Sequence, residues 1–188
     1  MKLLKLTIIS IASIESAVID FENGALADES CFLICGPTGS GKTTLLDAMC
    51  LALYNQTPRI AAASKESYTD LTENFGNDIK IDDPRFLMRR GTDFARVELA
   101  FTDINDQKLT ACWQVERAKR KSGNNPIRKI KDEEWSLCDE NGNVICSRVS
   151  EMKKLIPERL GLTFEQFCRT TLLAQGEFTK FLRSDESE

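Results

Sequence analysis

Residues 36–43 read Gly36-Pro37-Thr38-Gly39-Ser40-Gly41-Lys42-Thr43. This satisfies the phosphate-binding pattern GxxxxGK[ST]. The chemistry follows from the residue types. Glycines let the backbone curl so that successive N–H groups point inward at phosphate oxygens. A helix opening at Lys42 presents its positive end to the same anion. Lys42 is spaced to reach the β- and γ-phosphates of a nucleotide, and the Thr43 hydroxyl to coordinate Mg²⁺. With Gly at about 7% of residues, a chance match in a chain this long arises on the order of once in a hundred.

Such a loop is expected between a strand and a helix. Cys31-Phe32-Leu33-Ile34-Cys35 is a short continuous apolar run and reads as a strand buried on both faces. Lys42–Tyr54 has helical spacing and is apolar nearly all round, which predicts a buried helix. Pro58 ends that region. Upstream, residues 2–9 and Ile14–Phe21 read as strands. Downstream, Phe94–Phe101 alternates, and Leu109–Val115 reads as its partner across an Asp103–Lys108 turn. Trp135–Cys138 and Val144–Cys146 flank Asn141-Gly142, a strong hairpin signal. Val149–Leu160 has helical periodicity and stops at Gly161. Thr163 and Gln166 form a capping box for a last helix running to Leu173. Residues 59–85 give no clear pattern.

The 188 residues suffice for one domain with a proper core. The chain has no histidine, which excludes a Ser-His-Asp triad, a histidine general base and histidine-ligated zinc within it. Seven cysteines without a CxxC, no secretory leader and no long apolar span predict a cytoplasmic protein with free thiols and no membrane partner. A small kinase or GTPase also needs an acid at the end of a second buried strand. Val97–Asp103 comes nearest, but it alternates like a half-exposed antiparallel strand. A stand-alone small-molecule kinase is therefore the weaker alternative.

Two longer runs narrow the choice. The P-loop continues as Thr44-Leu45-Leu46-Asp47-Ala48-Met49-Cys50-Leu51-Ala52-Leu53-Tyr54, then Thr57-Pro58-Arg59. Far downstream stands Leu172-Leu173-Ala174-Gln175-Gly176-Glu177-Phe178. In this order they resemble the N-terminal ATPase segment of the SbcC family, SMC-like DNA-repair ATPases that work with the SbcD nuclease. The resemblance implies an α/β P-loop NTPase fold, the N-terminal lobe of an ABC/SMC-type head, with an antiparallel β subdomain over about 94–147. It implies ATP and Mg²⁺ as cofactors, held by Gly36, Pro37, Thr38, Gly39, Ser40, Gly41, Lys42, Thr43 and Thr44. Residues 172–178 would be the Q-loop, with Gln175 contacting Mg²⁺ and placing the attacking water, so that Lys42 and Gln175 are the catalytic candidates and Thr43 and Gln175 the metal ligands. The implied partners are an SbcD-type nuclease, double-stranded DNA, the chain's own C-terminal lobe and a second head. That lobe, the coiled coil and the zinc hook would lie outside these residues, in a split head. Many members carry an arginine after the first strand, near the phosphates. Here that region is Ser10-Ile11-Ala12-Ser13-Ile14, with no basic residue.

The net charge of −4 conceals a local excess. Arg117, Lys119, Arg120, Lys121, Arg128, Lys129 and Lys131 place seven positive charges in fifteen residues, leaving the rest of the chain at −11. Segregation of this kind suits backbone-directed DNA binding, since neutralised phosphates release counterions. A solvated loop accounts for it equally well from charge alone. Nothing in the segment reads base edges, so any DNA contact would be independent of sequence.

Overall fold

The computed structural model describes residues 1–27, 29, 32–61, 67–68, 79–118 and 129–170. Its main sheet is built from β1 (Lys2–Ile11), β2 (Ile14–Asp20), β5 (Phe94–Thr102), β6 (Lys108–Glu116), β7 (Glu134–Asp139) and β8 (Val144–Cys146). The order is β2-β1-β5-β6-β7-β8, and every pairing is antiparallel. β3 (Ser67–Tyr68) and β4 (Ile79–Lys80) form a separate two-stranded ribbon. The helices are α1 (Lys42–Tyr54), α2 (Pro58–Ala61), α3 (Val149–Leu160) and α4 (Phe164–Thr170).

Period-two alternation sets one face of the sheet toward the core. Leu6 and Ile8 of β1, Val97, Leu99 and Phe101 of β5, Ala111 and Trp113 of β6, and Leu137 of β7 are all fully buried there. α1 lies across β1, β5 and β6, and Ala48–Leu53 are buried without a break, as an all-round apolar helix requires. α3 is amphipathic instead. Its Met152, Ile156 and Leu160, four residues apart, are its buried stripe.

The strands β5–β8 do not stand apart as a subdomain over 94–147. β1 pairs with β2 on one side and β5 on the other, so they continue a single sheet. The second correction concerns the run before the P-loop. Phe32–Cys35 forms no strand, and Leu33 is 86% exposed. An apolar run becomes a strand only where a neighbour supplies a ladder. Among the described residues no strand pairs with it.

Local signals elsewhere hold. Gly142 has φ +82° in the β7–β8 turn and Gly161 has φ +69° at the end of α3. Thr163 N–H donates to Gln166 Oε1 at 2.9 Å, while Gln166 N–H donates to Thr163 Oγ1 at 3.3 Å, so the capping box is closed both ways. The expected extension of α4 to Leu173 lies outside the described residues. Pro58 is the first residue of α2, and Thr57 caps it through a 3.2 Å bond from Ile60 N–H to Thr57 Oγ1.

Candidate nucleotide site

The loop at Gly36–Gly41 is shaped by its glycines. Gly39 and Gly41 have φ +84° and +91°, a region that residues with a Cβ avoid. Ser40 N–H donates to Pro37 O at 3.2 Å, which tightens the turn. Gly41 is the N-cap of α1, and its carbonyl accepts from Leu45 N–H at 3.0 Å. Gly36, Pro37, Thr38, Gly39 and Ser40 are all exposed, so the loop is accessible to a ligand.

Lys42 folds back over this loop. Its Nζ donates to Gly36 O at 2.6 Å and Pro37 O at 2.8 Å. A cation held at the loop mouth, beside the N-terminus of a thirteen-residue helix, creates a site for anionic oxygens. The first turn of α1 holds no carboxylate to compete for that position. The two threonines that follow diverge. Thr43 is exposed at the open end of the helix, where its hydroxyl is available as a metal ligand. Thr44 is 5% exposed and packs inward, with Oγ1 3.3 Å from Ser13 Oγ in the β1–β2 turn. That donor set, one free hydroxyl beside a lysine and a run of loop N–H groups, fits a nucleotide triphosphate with Mg²⁺. Among the described residues no trio of carboxylates and thiols clusters to hold a metal by itself.

Sequence reasoning missed three neighbours. Asp47, one turn beyond Thr43, is 2% exposed and forms an ion pair with Arg59 of α2. A lone acid in an apolar helix was the available signal. Ser13 meets Thr44, and Arg89 reaches the same turn from a segment with no legible pattern. Asp103, the weak candidate for a second acidic motif, belongs to the β5–β6 turn. It accepts from Asn105 N–H at 2.8 Å, Gln107 N–H at 2.9 Å and Arg159 Nη1 at 3.1 Å.

Gln175, Lys119, Arg120, Lys121 and Arg128 lie outside the described residues. The root of the basic segment continues the β6 ladder. Arg117 bridges to Ile130, Ala118 N–H donates to Lys129 O at 2.8 Å, and Lys131 N–H donates to Glu116 O at 2.9 Å. Lys129 is exposed. Lys131 is half exposed and ion-paired with Glu116. Arg117 is only 8% exposed, and its Nε donates to Thr92 O at 3.0 Å. Its place is therefore structural, and it does not present a charge to a ligand.

Comparison with known proteins bears on this geometry. A family profile described as "AAA domain" matches residues 5–188. The chain belongs to the AAA domain family. It is also similar over its whole length to the SbcC component of the nuclease SbcCD. It is 35% identical to that of Rhodobacter capsulatus over 190 residues and 33% identical to that of Pseudomonas aeruginosa over 189. Each alignment covers 100% of this chain and 15% of the relative. The Bacillus subtilis protein of the same name is 30% identical over 168 residues, covering 89% of this chain and 13% of the relative. The chain thus spans about a seventh of the length of the relatives it matches. The resemblance drawn from the P-loop and Gln175 runs is the one these relatives carry. The kinase alternative finds no support among them. Among the described residues no helix is long and apolar enough to cross a membrane.

Proposed function

We propose that the chain is the ATP-binding part of an SbcC-type ATPase head. ATP would bind at Gly36–Thr43, with its phosphates on the loop N–H groups and against Lys42. Bound Mg²⁺ supplies a Lewis acid that neutralises charge on the β- and γ-phosphate oxygens. Thr43 and Gln175 would hold it. Gln175, with one acceptor and two donors, suits the placing of a water beside the γ-phosphate. The observation that carries the reading is the divergence of Thr43 and Thr44 under a lysine that caps the loop. One threonine is left free for the ligand while the other anchors the helix.

The same reading extends to assembly. Phe32 at 39% and Leu33 at 86% exposure leave apolar surface beside the loop, against which a further lobe would pack. A second head, an SbcD-type nuclease and double-stranded DNA are the partners proposed, with ATP hydrolysis driving DNA-end processing. The cell's cytoplasm is the proposed location.

The test is ATP titration of the full-length protein in the presence of Mg²⁺, with Lys42→Ala beside it. Hydrogen bonds to charged groups are worth roughly 1.5–3 kcal/mol, so affinity should fall by about 10–100-fold. Stability should hardly change, because among the described residues Lys42 Nζ bonds only to the Gly36 and Pro37 carbonyls, on an exposed loop. Unchanged affinity would overturn the reading.

A further inference from the structure

The β1–β2 turn is built against local preference. Ser10 and Ala12 have φ +53° and +44°, in the left-handed region that side chains disfavour. Such backbone persists only where the surroundings over-determine it, and it concentrates at functional sites. Here one segment does the holding. Ala12 N–H donates to Leu87 O at 2.8 Å, and Arg89 N–H donates to Ser10 O at 2.8 Å. Ile11 and Met88 form a β-bridge between these bonds. Arg89 then adds its side chain, with Nη1 donating to Ala12 O at 3.1 Å and Ser13 O at 3.0 Å.

The turn so held abuts the phosphate-binding loop at two points. Ser13 Oγ lies 3.3 Å from Thr44 Oγ1 in the first turn of α1. Gly41 faces the same turn so closely that a Cβ there would lie 3.3 Å from Ile14 Cγ1 and 3.4 Å from Ser13 Oγ. The position of residues 13–14 therefore sets where Gly41 and Thr44 sit, and these flank Lys42 and Thr43.

We propose that Arg89 is a positioning residue of the nucleotide site: its guanidinium locks the Ser10–Ser13 turn, whose Ser13 hydroxyl holds α1 through Thr44. The β1–β2 turn has no basic residue of its own. A cation arriving from another segment clamps it through its carbonyls. The proposal rests on the P-loop reading above.

The test is ATP affinity of the full-length protein, measured for wild type, Arg89→Met, Arg89→Lys, Ser13→Ala, the Arg89→Met/Ser13→Ala pair and Lys42→Ala. Contacting residues commonly couple strongly enough for Arg89→Met to raise the Kd about tenfold. Arg89→Lys keeps a charged donor for the two carbonyls and should lose about threefold, which also guards against a misfolded Met variant. In the Ser13→Ala background Arg89→Met should add less than about twofold, because the link to Thr44 is already cut. An arginine that merely stabilises the fold would lower the melting temperature and leave the Kd alone. That result, or full additivity with Ser13→Ala, overturns the proposal while Lys42→Ala still weakens binding by about 10–100-fold. ATP affinity left unchanged by Lys42→Ala would instead remove the P-loop reading on which it rests.

Discussion

Trp135 Nε1 donates to the carbonyl of Ala52 at 2.7 Å, across 83 residues of sequence. That carbonyl belongs to the last turn of α1, where helical partners run out. Nearby, Trp113 Nε1 donates to Asn55 Oδ1 at 2.8 Å, and Asn55 is the left-handed C-cap of the same helix. Tyr54 OH donates to Leu162 O at 3.0 Å. The far end of α1 is thus pinned to the sheet and to the residues leading into α4, which leaves its other end free to carry the phosphate-binding loop.

Trp135→Phe keeps most of the ring and removes the donor, so the buried Ala52 carbonyl loses its partner. The expected cost is about 1–3 kcal/mol, read as a lower urea midpoint with an unchanged slope. Trp113→Phe should cost less, because Asn55 still bonds Glu133 through its Nδ2 at 3.0 Å and lies nearer solvent. Equal losses below about 0.5 kcal/mol for both would mean the indoles serve only as packing.

What could be read from the sequence was local. The Asn141-Gly142 turn, the stop at Gly161 and the Thr163–Gln166 box depend on a few adjacent residues, and each stands where expected. The P-loop was legible for the same reason. Phe32–Cys35 was not, because whether an apolar run forms a ladder is decided by a partner far away in the chain. Arg89 was hidden by a different cause. Its work is on the Ala12 and Ser13 carbonyls, more than seventy residues earlier, and the sequence near it has no periodicity. Asp103 looked like a failed catalytic acid until its backbone bonds placed it as a turn's internal acceptor.

Asp103 sets a pH dependence. Burial opposes its ionisation, but the Gln107 and Asn105 N–H groups and Arg159 outweigh that and hold its carboxyl below the usual range. A lowered folded-state pKa adds stability that is present above the unfolded value of about 3.9 and is lost as pH falls through the folded one. Asp103→Asn should therefore be less stable than wild type at pH 7. The gap should narrow below about pH 4, as the wild-type carboxyl takes up its proton. Denaturation midpoints for both proteins from neutral to acid pH measure this. A gap that stays constant with pH would show that the charge of Asp103 contributes nothing.

The thiols should differ sharply in reactivity. Cys50 is fully buried, and the neighbouring Cys168 and burial together push its thiol far up. Burial also pushes Cys112 up to about 11, against a smaller opposing pull from Arg96. Cys35, beside the P-loop, is exposed. Since the thiolate is the nucleophile, alkylation of the native protein at pH 8 should modify Cys35 well before Cys50 or Cys112. Peptide mapping after a short pulse gives the order. Early labelling of Cys50 would mean that α1 opens readily from the core.

The basic segment makes the last prediction, and among its described members Arg117 is buried while Lys129 is exposed. Arg117 N–H donates to Asp93 O at 2.8 Å, its Nε bonds Thr92 O, and Thr92 Oγ1 in turn donates to Arg89 O at 2.8 Å. Arg117→Gln should therefore act on the fold around Arg89, lowering stability with little change in the salt dependence of DNA binding. Lys119, Arg120 and Lys121 should behave oppositely if the segment meets a phosphate backbone. Reversing their charge in the full-length protein should leave stability within about 0.5 kcal/mol. It should flatten the plot of log affinity against log salt by about 0.9 for each phosphate no longer neutralised. The effect should be alike for DNA of any sequence, since backbone contacts carry no base information. If charge reversal at these three positions leaves both affinity and salt slope unchanged, the segment is a solvated loop and the DNA reading fails, while the nucleotide site stands on its own evidence.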